Sequence, residues 1–257
     1  KMVFIVDHNV PSDCPKTAAS QKKMRDFAKE NNIDFWEGKG VCHQVMMENY
    51  VCPGELIFGA DSHTCSYGAL GAFGTGVGCT DLLYGMVTGK SWVLVPETVK
   101  FNLVGKLPEG VYARDLILTI IGTIGANGCN YQVMEFTGEG AKTLSISERM
   151  VLCNMAVEAG AKTGIFEPDE KAIEYLESHG RKPKALFKSD PDAVYAREYT
   201  FDLSKIRPVV AKPDFVDNLV PAEEVRGVKI DEAFLGSCNN GRIEDLRVGA
   251  SIIKGKK

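Results

Sequence analysis

Two apolar runs of this sequence end in residues that can hold and move protons. Met2 to Val6 is followed by Asp7-His8, and Glu55 to Ala60 is followed by Asp61-Ser62-His63. A third histidine, His43, stands in Gly40-Val41-Cys42-His43-Gln44. Imidazole titrates nearer neutrality than any other unperturbed side chain, and a carboxylate beside it holds and polarises it. If both runs are strands of an α/β sheet, their carboxyl ends lie where such sheets bind ligands. Two carboxylates and two imidazoles would then meet at one sheet edge, which is equipment for acid–base catalysis. A lone histidine is more often structural; the repeated pairing of Asp with His points to a site.

Cys238 is the most suggestive of the eight cysteines. It lies in Gly236-Ser237-Cys238-Asn239-Asn240-Gly241, between an apolar run and a helix that opens at Arg242. A helix N-terminus and a nearby cation both lower a thiol pKa, which suits a nucleophile or a metal ligand. The same six residues would also make a plain tight turn. No two cysteines are spaced as Cys-x-x-Cys, which argues against a zinc ribbon, a thioredoxin-like pair or a self-contained ferredoxin-type site. The other thiols read as small buried hydrophobes. A chain of this length needs no disulfide staples, and it opens on no signal-peptide-like apolar segment. Free thiols in a reducing cytoplasm are therefore expected.

Gly68 to Gly78 holds five glycines and invites a phosphate-loop reading. The dinucleotide spacing fails, because Cys79 and Asp81 stand where a third glycine is needed. Gly89-Lys90-Ser91 ends like a Walker A loop, but Tyr84 stands where its first glycine belongs. A nucleotide is not expected. The small residues would let this backbone approach a neighbour or a bulky cofactor closely.

The elements that must place these residues follow from periodicity. Strands are expected over 2–6, 55–60, 91–95, 99–104, 132–137 and 230–235, and helices over 17–31, 78–88, 115–124 and from Arg242. Ser145 and Glu148 have capping-box spacing and open another helix. Residues 180–225 read as a long irregular crossing segment, and no internal repeat is visible. Strand–helix alternation implies an α/β fold with parallel strands. Boundaries are expected at Pro96 and near 206, giving lobes 1–95, 96–205 and 206–257.

Composition narrows the function classes. The 257 residues are 44% hydrophobic and 25% charged, as in ordinary globular chains. No apolar stretch reaches the roughly 18 residues of a membrane span. The formal net charge of −4, with no basic stripe, disfavours a nucleic-acid surface.

Taken together, the motifs resemble those of the aconitase superfamily. They are Gly59-Ala60-Asp61-Ser62-His63-Thr64, the glycine-rich run to Gly78-Cys79-Thr80-Asp81, Glu135-Phe136-Thr137-Gly138, the run from Cys153-Asn154-Met155 to Lys162-Thr163-Gly164, and Gly236-Ser237-Cys238 on to Leu246-Arg247. They cover nearly the whole chain. Within the superfamily they resemble the large subunits of 3-isopropylmalate dehydratases, enzymes of leucine (branched-chain amino acid) biosynthesis, and of homoaconitases.

The resemblance implies three-layer α/β/α lobes with parallel or mixed sheets. It implies a [4Fe–4S] hydro-lyase that isomerises a hydroxy diacid or triacid by dehydration and rehydration. It implies a small-subunit partner that supplies the general-base serine. It makes Cys238 a cluster ligand and places Asp7 and His8 near the departing hydroxyl. It pairs His43 with Asp61, gives Ser62 and His63 contacts to substrate or water, and assigns Glu135 to cluster-bound water. Asn239 stands where the family usually has Thr. The family's Cys-Gly-Pro-Cys segment, which carries the other two ligands, is absent, as are a preceding segment and an Asn-Arg-Asn-Phe stretch. The chain is therefore expected to be a fragment, inactive alone. Two rival readings are a cluster-free RNA-binding regulator and a zinc enzyme using Cys238 with His43 or His63.

Overall fold

The computed structural model describes residues 1–183 and 185–256. The strands are β1 (Val3–Val6), β2 (Asp34–Glu37), β3 (Leu56–Gly59), β4 (Phe73–Gly76), β5 (Thr98–Val104), β6 (Val133–Thr137), β7 (Thr163–Phe166), β8 (Arg197–Asp202), β9 (Val209–Ala211) and β10 (Leu219–Pro221). The helices are α1 (Pro15–Glu30), α2 (Cys42–Asn49), α3 (Cys79–Thr88), α4 (Ala113–Ile124), α5 (Glu139–Thr143), α6 (Ile146–Asn154), α7 (Glu170–Ser178) and α8 (Ile243–Ile253). Tight 3-10 segments at Ser62–Leu70 and Met155–Ala159 interrupt this alternation.

The largest sheet is fully parallel, in the order β7-β6-β5-β8. Its register aligns Tyr199, Phe101, Phe136 and Phe166 across all four strands. Their rings follow one another at 5.5, 5.6 and 5.0 Å. Offset contacts at such spacing add to the stabilisation from burial alone. In β5, Val99, Phe101 and Leu103 are buried and alternate with more exposed residues, so this strand keeps a two-residue period. α4 buries Leu116, Ile117, Ile120 and Ile121 against the same core, a helical spacing. Ser145 and Glu148 close the expected capping box at the start of α6.

Two smaller parallel pairs, β1 with β2 and β3 with β4, carry the Asp-His strand ends. They are separate ladders, so the two ends do not share one sheet edge. They are brought together by the wholly buried stretch Thr64–Leu70, which packs between β4 and β7. The close approach is made by glycines. A Cβ on Gly68 would land on the carbonyl oxygen of Gly164 in β7, and one on Gly76 would lie 2.8 Å from the carbonyl of Asp61.

Several expectations need correction. The run 91–95 is not a strand; Trp92, Leu94 and Val95 are exposed and pair with nothing among the described residues. The run 230–235 is likewise unpaired. Both are apolar enough for strands, but no neighbouring edge completes their hydrogen bonds. The segment 180–225 is not irregular throughout, because β8 lies within it and pairs in parallel with β5. The glycine-rich run is not all loop, since β4 occupies Phe73–Gly76.

Candidate active site

Asp61, one residue pair beyond β3, is the hub of the site. Its Oδ1 accepts from His43 Nε2 at 3.0 Å and from the backbone N–H of His63 at 2.7 Å. His63 Nδ1 lies 3.6 Å from that oxygen, and His8 Nε2 lies 4.0 Å from Oδ2. Three imidazoles therefore face one carboxylate. The hydrogen bond from His43, then that from His63, hold Asp61 far below the ordinary carboxylate range, against the cost of burial.

Each imidazole is fixed differently. His43 is the second residue of α2 and is only 2% exposed. Its other ring nitrogen lies 3.4 Å from the Tyr67 hydroxyl. His8 is exposed, and its Nδ1 lies 2.8 Å from Asp7 Oδ1. That hydrogen bond raises the His8 pKa. Asp7 also accepts the backbone N–H of Cys42 at 2.6 Å, so it caps α2. Burial of Asp7 works against its charge, but Cys42 and His8 together pull its pKa down.

His63 is half-buried. Ser62 Oγ lies 3.2 Å from its Nδ1, and Glu158 Oε1 lies 3.6 Å from its Nε2. Asp61 first, then Cys238 and Glu158, push its pKa up to about 12. His63 is thus an imidazolium at neutral pH, able to donate a proton or bind an anion.

A pH dependence of stability follows. A folded-state pKa above the unfolded value contributes stability that is complete below about pH 6.5 and is lost as pH rises toward the folded value. Asp61 has the opposite sign; its contribution is complete above about pH 4 and is lost as pH falls. His63 by itself therefore makes the unfolding free energy fall above pH 6.5, by at most about 1.4 kcal/mol per pH unit for one proton. His63→Ala should flatten that fall. The lowered Cys238 thiol works the other way and offsets part of this fall, so the measured quantity is the difference in slope between wild type and His63→Ala, and an unchanged slope would contradict the assignment.

Cys238 lies in the loop before α8 and is partly exposed. Burial works against its thiolate, yet hydrogen bonds from His63 and Asn154 and the His63 charge leave its pKa below the ordinary value. The foremost cation beside it is therefore His63, with the Arg242 and Arg114 charges also felt at the thiol. Ser237, just before it, has a left-handed φ of 67°, uncommon for a residue with a side chain. Arg242 secures this bend by donating to the Asn239 carbonyl at 2.7 Å and the Cys238 carbonyl at 3.4 Å.

Beside the cluster lies a cavity of about 480 Å³, of the size that holds a small ligand. Asp7, His8, His43 and Asp61 line its polar side, and Met46, Ile57, Leu82 and Met86 its apolar side.

The structure thus brings together Asp7, His8, His43, Asp61, Ser62, His63 and Cys238. It places Glu135 elsewhere. Glu135 lies on β6 and accepts hydrogen bonds from Ser189 at 2.8 Å and Tyr195 at 3.0 Å, neither of which touches the histidines. The carboxylate at His63 is Glu158. Glu158 and Asn154 both lie in the Cys153–Gly164 run, where the sequence did hold a signal. Arg114, whose charge is felt at Glu158 and Cys238, had none.

The thiols were weighed as ligands of an iron–sulfur cluster. Cys65, Cys129 and Cys153 are buried and burial raises each of their pKa values, and burial also pushes the Cys42 thiol far up. Cys238 alone faces the site with a lowered pKa. Among the described residues, no three His, Cys, Asp or Glu side chains are arranged to hold a metal ion. The chain therefore fits one ligand position of a cluster that needs several thiolates.

The family model described as the aconitase family (aconitate hydratase) matches residues 3–257. The chain belongs to the aconitase family. It is 51% identical over its whole length to a 3-isopropylmalate dehydratase large subunit of Hydrogenobaculum sp., and 49% identical to one of Methanopyrus kandleri. It is 47% identical to a probable methanogen homoaconitase large subunit of Methanosarcina mazei. All of the chain is covered in each case, but it spans only 61%, 62% and 66% of those relatives. No helix among the described residues is long and apolar enough to cross a membrane.

Proposed function

We propose that this chain carries the histidine–carboxylate half of a hydro-lyase large subunit acting on a 2-hydroxy diacid, of the 3-isopropylmalate type. The observation that carries the reading is the gathering of His8, His43 and His63 on Asp61, with the Cys238 thiol against His63. Water must leave one carbon and return to its neighbour. That needs a group to protonate the departing hydroxyl and to take the proton back on rehydration.

His8 suits that task, because it is exposed at the cavity and Asp7 fixes its Nδ1, leaving Nε2, 4.0 Å from Asp61 Oδ2, to carry the proton. His63, cationic and beside Ser62, binds a substrate carboxylate or the water. Buried His43 keeps Asp61 oriented and ionised. Glu158 fixes His63 Nε2. A [4Fe–4S] cluster, with Cys238 as one thiolate ligand, would supply Lewis acidity at the hydroxyl when bound. A small subunit would complete the site with the base that removes the carbon-bound proton.

The lobe division 1–95, 96–205 and 206–257 belongs to this proposal. It is supported by the two strand pairs in the first span and the whole four-stranded sheet in the second.

The name of the Methanosarcina mazei relative favours a second substrate class, homoaconitate-type triacids. An assay of the complete subunit with its small partner decides between them. Turnover of 3-isopropylmalate, with at most slow turnover of the triacid, is expected. Preference for the triacid would move the assignment, and neither reaction in an enzyme with full iron content would refute it.

A further inference from the structure

Asn239 is 5% exposed and uses both amide hydrogens and its carbonyl oxygen. Its Oδ1 accepts from Arg114 Nη1 at 2.5 Å. Its Nδ2 donates to Asn154 Oδ1 at 2.9 Å and to the Val151 carbonyl at 3.3 Å. Asn154 in turn donates to Ser66 Oγ at 3.1 Å, and Ser66 donates to the His63 carbonyl at 2.8 Å. A polar line thus runs from α4, through the Cys238 loop and the end of α6, to the segment that carries His63. Arg114 also reaches Asn240 Oδ1 at 3.3 Å, so it grips two successive loop residues. The two Asn239 amide hydrogens point at two different acceptors on α6, a task that a hydroxyl with one proton cannot match.

We propose that Arg114 and Asn239 are positioning residues that hold the Cys238 loop against His63. This rests on the reading of Cys238 and His63 as parts of one site, but not on which substrate that site transforms. Burial makes the arrangement costly to leave half-satisfied. Removing the Asn239 amide leaves the buried Asn154 Oδ1 without that donor and takes away the shorter of the two Arg114 contacts with the loop, which keeps Arg114 on Asn240 and the backbone hold from Arg242. Neither residue lines the cavity, so their effect must pass through the placement of Cys238 and His63 relative to each other.

A double-variant cycle on the complete large subunit, freed of its cluster, tests this. The readout is the iodoacetamide alkylation rate of the Cys238 peptide at pH 7, resolved by mass spectrometry from the other cysteines. In the wild-type background, His63→Ala should slow alkylation about tenfold, because the thiol loses its cation and hydrogen bond. In Asn239→Ala and in Arg114→Ala, His63→Ala should change the rate less than about twofold. Asn239→Asp keeps the acceptor for Arg114 and loses both donors, so it should fall between these limits.

Arg114 is exposed, and its variant keeps the test open if Asn239→Ala does not fold. A His63 effect that remains near tenfold in the Arg114→Ala background overturns the proposal. So does the absence of any His63 effect in the wild type. If the coupling collapses as expected but the complete enzyme shows no hydro-lyase activity, the positioning role stands and the functional reading falls.

Discussion

His63→Ala is expected to lower turnover of the complete enzyme about 10²–10⁴-fold, the range in which positioned proton donors and acceptors contribute. The fold should survive. His63 lies at the edge of the buried 3-10 segment, and its ring is held by Asp61, Ser62 and Glu158 rather than by apolar packing. Its loss should be felt in two ways. The imidazolium that stands beside Cys238 is gone, and Asp61 keeps His43 but loses one of its hydrogen-bonding rings. Steady-state kinetics beside a thermal melt separate this from a packing defect. A variant that unfolds with its remaining native fraction fully active would show that His63 is structural.

Gly68→Ala is the substitution with the largest expected effect on folding. Gly68 is fully buried, and its missing side chain is where the Gly164 carbonyl of β7 sits. An added methyl cannot be accommodated by a rotamer change, because the obstacle is backbone on both sides. Gly164 has no slack of its own, since a Cβ there would lie 2.9 Å from the Cys153 Cα. The 3-10 segment would have to move away from β7, opening the contact that carries His63 toward Glu158 and Cys238. Overpacking costs about 1–3 kcal/mol where side chains can yield, and a backbone obstacle places this variant at about 3 kcal/mol or above. Urea denaturation gives the number. A loss below about 1 kcal/mol would mean that the segment and β7 are not in the described contact.

The site was legible in the sequence where it is local. Asp7-His8 and Asp61-Ser62-His63 follow their strands directly, so two strand assignments were enough to find them. Glu158 was harder, because it faces His63 only after α6 and a 3-10 turn bring it round. Glu135 was chosen by its place in a motif, and the parallel register puts it opposite Lys100 and Ile165 in the large sheet, where Ser189 and Tyr195 occupy it. The foremost cation beside Cys238 was hidden for the same reason. Arg242 is near in sequence and holds the loop carbonyls, whereas His63 is far in sequence and near in space.

Secondary structure followed the same division. Strands with apolar faces, such as β1 and β5, were readable from pattern. β4 is Phe73-Gly74-Thr75-Gly76, whose glycines argue against a strand until the approach of Thr64 and Asp61 explains them. β8 reads Arg-Glu-Tyr-Thr-Phe-Asp, too charged for a buried strand, because it is the edge of the sheet beside β5. The runs at 91–95 and 230–235 show the converse: an apolar pattern without a partner edge makes no strand.

The central claim is that Cys238 and the Asp61 histidine cluster form one cluster-dependent hydro-lyase site. It is tested most directly by following formation of the unsaturated diacid from 3-isopropylmalate in the reconstituted complete enzyme, wild type against Cys238→Ser. Product is expected from the wild type and none above background from Cys238→Ser, with its fold intact. Equal rates from the two proteins would contradict it.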